Sequence, residues 1–105
     1  MHITDEQIKE LIRRIVETTF TLRIILFGSA ARGEMSAASD IDVLVVVPDG
    51  SHRRKTAQQI YLNLIGFGMP VDVVVATPSD LEKYGNSSGL IYREITREGR
   101  ELYAA

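Results

Sequence analysis

Two aspartates one residue apart, Asp40 and Asp42, stand at the head of the apolar run "VLVVV", residues 43 to 47. Upstream, with ten residues between, Gly28-Ser29 closes another apolar run, "RIILF". A third aspartate, Asp72, opens the run "VDVVVA". Side chains two apart on a strand share a face, with α-carbons roughly 6.5–7 Å apart. Asp40 and Asp42 would thus point the same way, with Ile41 turned into the core. Like charges gathered beside apolar strands oppose one another's ionisation. A divalent cation removes that conflict, and an all-oxygen donor set suits a hard ion such as Mg²⁺ or Mn²⁺. Two such ions roughly 3.5–4 Å apart can clamp the attacking and leaving oxygens of a phosphoryl displacement. Gly28 lets backbone approach an anion closely, and Ser29 adds a hydroxyl. A short helix opening at Ser29 would offer free N–H groups to phosphate.

These residues need elements to bring them together, and the hydrophobic pattern supplies them. Thr4 and Gln7 have capping-box spacing. Ile8, Leu11, Ile12, Ile15 and Val16 then recur at helical spacing, giving a helix from near Thr4 to Thr18. Leu22 to Phe27 reads as a buried strand, broken by Gly28-Ser29. Residues 30 to 39 form a loop, with room for a short helix at its start. Ile41 to Val47 is a second strand, valine-rich and buried on both faces. "PDGS" is a turn, and Ser51 is placed to cap a helix running to about Ile65, with Ala57, Ile60, Tyr61 and Leu64 facing inward. "GFGMP" ends it, and Val71 to Ala76 is a third buried strand. Either Thr77 or Ser79 starts a short helix around Asp80 to Tyr84. "GNSS" is a loop or cap, Leu90 to Arg97 reads as helical, Glu98-Gly99 turns the chain, and "RELY" adds a final strand.

The expected class is therefore α/β or α+β, with a small mixed sheet flanked by helices. The second and third strands enclose a helix, as in a parallel crossover unit. The short connection between the first two strands favours an antiparallel pair. That topology gathers Gly28-Ser29, Asp40, Asp42 and Asp72 at one edge of the sheet.

Composition narrows the rest. With 105 residues and 45% apolar content, the whole of 1–105 is expected to form one domain. A large substrate would then need a partner to hold it. A net charge of −2 gives no global pull toward nucleic acid or anionic membrane. Without cysteine there is no thiol nucleophile, disulfide or cysteine metal site. The polar, acidic start "MHITDEQIKE" is unlike a signal peptide, and a cytoplasmic location is expected. His2 and His52 have no ligand pattern around them. "HRRK", residues 52 to 55, reads first as a solvated helix face, although cations at a helix start oppose its dipole. Tyr61 and Tyr92 read as packing residues, and nothing marks Tyr84 or Tyr103 as acceptors.

The block "GSAARGEMSAASDIDVLVVV", with Arg32, Gly33 and Ser39-Asp40 in place, resembles the signature of the DNA polymerase β-like nucleotidyltransferases. In particular it is similar to the minimal nucleotidyltransferases, the MNT proteins. The likeness runs over nearly the full chain, from the leading helix through Asp72 to "LIYREITREGRELY". It implies transfer of a nucleoside monophosphate from an NTP to a hydroxyl, with release of pyrophosphate. By match, Asp40, Asp42 and Asp72 would be catalytic and hold Mg²⁺, two ions in all, with Mn²⁺ as an alternative. Asp72 would also be available to draw the acceptor's proton. Gly28 and Ser29 would hold the terminal phosphates. Small MNT proteins often pair with a HEPN-domain toxin, and are similar to antitoxins that adenylylate a toxin tyrosine using ATP. Many relatives carry Lys or Arg before Ser-Asp, whereas this chain reads "EMSAAS". Triphosphate charge would then rest on metal, Arg32 and backbone amides. Arg32 keeps a second reading, a salt bridge to Glu34 or a loop brace. Three functions follow as expectations: an adenylyltransferase antitoxin, an MNT-like module that neutralises its toxin by binding alone, or transfer to a small molecule such as an aminoglycoside.

Overall fold

A computed structural model describes residues 3–36, 39–84, 95 and 97–105, with the side chain of residue 84 left aside. Helix α1 spans Asp5–Thr18, followed by strand β1 (Arg23–Phe27) and the short helix α2 (Gly28–Arg32). Strand β2 (Ile41–Val46), helix α3 (Arg53–Asn63) and strand β3 (Val71–Ala76) form the crossover unit. Helix α4 (Pro78–Tyr84) and strand β4 (Arg100–Ala104) complete the order. The expected "GNSS" loop and most of the helix expected over Leu90–Arg97 lie outside the described residues, as does Tyr92. Ile95, Arg97 and Glu98, at that helix's end, are helical.

The sheet order is β3-β2-β1-β4. β1 runs antiparallel to both β2 and β4, and β2 runs parallel to β3. The expected antiparallel and parallel pairs are both present, in an α+β sheet. Side chains alternate between two apolar layers. On one face Ile24, Leu26, Val43, Val45 and Val73 pack with Leu11 and Ile15 of α1 and Ile60 of α3. On the other, Ile25, Phe27, Leu44, Val46 and Ala76 pack with Ile95 and Leu81. Strand β2 lies between β1 and β3 and is covered on both faces, so its sequence reads as an unbroken apolar run.

Local chemistry sets the helix ends. Thr4 and Gln7 exchange the reciprocal bonds of a capping box at 3.1 and 2.8 Å. Two expectations for α3 need correction. Ser51 does not cap it: its hydroxyl donates to Pro48 O at 2.6 Å, closing the preceding turn. His52 is the cap, its Nδ1 accepting the Lys55 N–H at 3.1 Å. Tyr61 does not face inward; it is 40% exposed, beside fully buried Ile60. The helix also stops at Asn63, before Ile65. The chain passes into tighter turns there, and Arg14 of α1 takes the carbonyls of Asn63 and Ile65 at 3.1 and 2.9 Å. Asn63 Nδ2 returns a bond to Arg14 O at 2.8 Å. A cation thus meets the negative end of α3, and α1 and α3 are fixed side by side. Among the described residues, no helix is long and apolar enough to cross a membrane.

Of the two starts expected for α4, the structure uses Thr77. Asp80 N–H donates to Thr77 Oγ1 at 3.3 Å, and Asp80 Oδ2 accepts the Thr77 N–H at 3.0 Å. Arg53, from the "HRRK" run, donates to both Asp80 oxygens at 2.5 and 2.6 Å. This bond to Arg53 chiefly holds the Asp80 carboxyl below its ordinary 3.8, and the bonds to Thr77 act the same way. A depressed folded-state pKa contributes stability above the unfolded value and loses it as pH falls through the folded value. Asp80→Ala should therefore cost about 1–2 kcal/mol in urea unfolding at pH 7. The gap to wild type should close as the pH drops below 3.8.

Candidate active site at the sheet edge

β1 ends on Phe27, which is extended, and the chain turns at once into α2. The turn needs Gly28 for two reasons. Its φ is +71°, a left-handed conformation that a side chain disfavours. A Cβ there would also sit 2.5 Å from Oδ2 of Asp42 and 3.3 Å from its Cγ. The Asp42 carboxylate therefore lies directly against the bare backbone of Gly28. Ser29 is half-buried in the first turn of α2. Gly33, also at φ +71°, stops the helix, and Glu34 N–H donates to Ser29 O at 2.8 Å.

Across the sheet, Phe27 pairs with Asp42 and Asp42 pairs with Asp72. Neighbouring strands lie roughly 4.8 Å apart. The alternation along β2 and β3 puts both aspartates on one face, aligned with Leu44 and Val46 and with Val74 and Ala76 respectively. Asp42 is half-buried, and Asp72 is exposed. The ladder between the two strands continues one step further, with Ile41 N–H donating to Pro70 O at 2.9 Å. Asp40 lies just before β2 and is exposed. Its charge and that of Asp72 are both felt at the Tyr61 hydroxyl. The structure thus brings Gly28, Asp42 and Asp72 together, with Asp40 at the rim. No group of three His, Cys, Asp or Glu among the described residues is already closed into a metal cage. The donor set still suits a hard cation, since it is all carboxylate and is seated on backbone that leaves it room.

Arg32 is placed differently. Its guanidinium pairs with Glu34 and with Glu98, each at 3.0 Å, tying the loop after α2 to the segment before β4. The salt-bridge reading of Arg32 describes these contacts. Ser39 braces the loop, its Oγ accepting the Ser36 N–H at 2.9 Å. His52 serves as a helix cap, and His2 lies outside the described residues.

Sequence reasoning missed the role of Tyr61. Its hydroxyl accepts the Val73 N–H at 2.8 Å and donates to Asp72 Oδ1 at 3.1 Å. The phenol is raised above its ordinary 10.0, first by burial and further by Asp72 and Asp40. It therefore keeps its proton at neutral pH. Helical spacing alone reads Tyr61 as core. The usable signal is its place on the crossover helix, eleven residues before Asp72.

Comparison with known proteins gives this arrangement a class. The family model of the nucleotidyltransferase domain matches residues 6–102, and the chain belongs to that family. A Methanocaldococcus jannaschii protein named "Putative protein adenylyltransferase" is 34% identical over 82 residues, covering 77% of each chain. Among solved structures, a toxin–antitoxin with AMP-PNP matches with a TM-score of 0.60 and 24% identity, over 95% of this chain and 73% of the other. The complex of tri-AMPylated Shewanella oneidensis HEPN toxin with MNT antitoxin matches with a TM-score of 0.61 and 19% identity, over 95% and 71%.

The close approach at Gly28 can be tested directly. Gly28→Ala should destabilise the fold by about 1–3 kcal/mol in urea unfolding, because it adds left-handed strain and drives Asp42 from its place. An unchanged midpoint would show that the Gly28–Asp42 contact is not required.

Proposed function

We propose that this nucleotidyltransferase uses ATP and Mg²⁺ to transfer AMP to a hydroxyl, a tyrosine, on a HEPN-type toxin partner, and so acts as an antitoxin in the cytoplasm. The observation that carries the reading is the Asp42–Asp72 pair seated against Gly28 in a chain of this family. The likeness to a named protein adenylyltransferase supports a protein acceptor. A minimal domain over 1–105 suits that acceptor, since the partner can carry its own hydroxyl to the site.

Asp40, Asp42 and Asp72 would hold two divalent ions, Mg²⁺ or Mn²⁺. Such ions, when bound, neutralise charge that develops on the attacking and leaving oxygens. The chain's own residues do the remaining work. Gly28 leaves backbone bare beside Asp42, and Gly28 and Ser29 hold the terminal phosphates. Asp72, exposed at the rim, takes the acceptor's proton as its oxygen bonds to the α-phosphorus. The bond from that phosphorus to pyrophosphate breaks, and pyrophosphate leaves with its electron pair. Arg32 would contact phosphate only by giving up a bond to Glu34 or Glu98.

That cost favours a second reading, in which the chain neutralises its partner by binding alone. Arg32 is already engaged by two carboxylates, and "EMSAAS" brings no cation. One assay separates the two. Labelled ATP and Mg²⁺ are incubated with the protein and its candidate toxin, beside Asp40→Ala/Asp42→Ala. Transfer should label the toxin, and the label should fall at least about 10³-fold in the double variant. Absent label with a stable complex would establish neutralisation by binding.

A further inference from the structure

We infer that Tyr61 is a positioning residue for Asp72, fixing its carboxylate through the phenolic hydroxyl so that one oxygen faces the site. The inference rests on the proposed metal-dependent transfer. β3 is an edge strand. The carbonyls of Pro70 and Ala76 accept from β2, so the even-numbered residues of β3 turn their backbone inward. Val73 turns its N–H and C=O outward, beyond the sheet. Tyr61 reaches over that edge from α3. Its oxygen accepts the Val73 N–H at 2.8 Å, which fixes where the hydroxyl stands. It has one proton to give, and two acceptors in reach: Asp72 Oδ1 at 3.1 Å and Val73 O at 3.4 Å. The carboxylate is both nearer and charged, and hydrogen bonds to charged acceptors are the stronger. Asp72 Oδ1 is thereby held at the strand edge, and Oδ2 is left for a ligand.

Asp72 gains from such a restraint. It is exposed, on an edge strand, in the second residue of β3. Asp42 is confined by Gly28, whereas Tyr61 supplies the side-chain bond that restrains Asp72. Groups that orient a ligating carboxylate typically change metal affinity 10- to 100-fold when removed. The ring itself is substantially exposed, so replacing it with Phe keeps its packing and removes only the hydroxyl.

The test is Mn²⁺ binding in the presence of a non-cleavable ATP analogue, followed by calorimetry, for wild type, Tyr61→Phe, Asp72→Ala and the double variant. Tyr61→Phe should bind Mn²⁺ about 10- to 100-fold more weakly. It should lower kcat with KM for ATP unchanged, and it should add nothing in the Asp72→Ala background. Placing 4-aminophenylalanine at position 61, which keeps an N–H donor at the same reach, should restore most of the loss. That variant also provides the comparison if Tyr61→Phe melts early. Unchanged Mn²⁺ binding in a folded Tyr61→Phe protein, or an equal further loss in the Asp72→Ala background, would overturn the role of Tyr61 and leave the transfer reading standing. Wild-type protein that binds no Mn²⁺ with the analogue would overturn both.

Discussion

The site depends on one row of residues across three strands: Phe27, Asp42 and Asp72 in register. One step inward, the row is Leu26, Val43 and Val73, all buried. The boundary between charge and core is therefore a single residue deep. The period of a strand is two, so a slip of one residue would turn Asp42 toward the layer of α1 and α3. The apolar alternation that stabilises the sheet also holds the carboxylates on their face. The packing of the core and the placement of these carboxylates are specified by the same register, and neither can drift without the other.

The bend from β1 into α2 adds the second constraint. A carboxylate next to backbone is held closely only where no side chain intervenes, and Gly28 provides that place. The chain beyond the bend is braced by short bonds: Gly33 ends the helix, Ser39 accepts from Ser36, and Arg32 joins Glu34 to Glu98. Of the two Arg32 pairs, the one to Glu98 crosses from the end of α2 to the segment before β4. Both pairs are partly exposed, so each is worth little as stability. Their weight lies in occupying the one cation of the motif. A polyphosphate arriving here would compete with two carboxylates for it.

Much of this is legible in the sequence because it rests on strong local signals. The valine-rich run, the Gly-Ser break and the crossover spacing imply the strand pairing, and the pairing implies the edge where the aspartates meet. Ser51 and Tyr61 depart from their expected roles for a common reason. Ser51 has the chemistry of a cap, but its hydroxyl bonds the Pro48 carbonyl instead, and His52 caps through Nδ1. Tyr61 has the spacing of a core residue, but a phenol has a polar end that must be satisfied. In both cases, several partners are chemically possible and tertiary structure chooses among them. The Arg14 bonds to the end of α3 are invisible in the sequence for a similar reason, since they join residues about fifty apart in the chain.

The position of Tyr61 is a consequence of the crossover itself. β3 is an outer strand, and outer strands expose unpaired backbone groups that must be covered or blunted. The helix that links β2 to β3 packs on one face, so residues along its flank can reach past the strand. A Phe there would cover the edge without bonding it, and a Ser would be too short to reach. A tyrosine meets both demands and can also donate to the carboxylate next along the strand. The edge that the fold has to protect is thus the edge on which Asp72 stands, and one hydroxyl serves both.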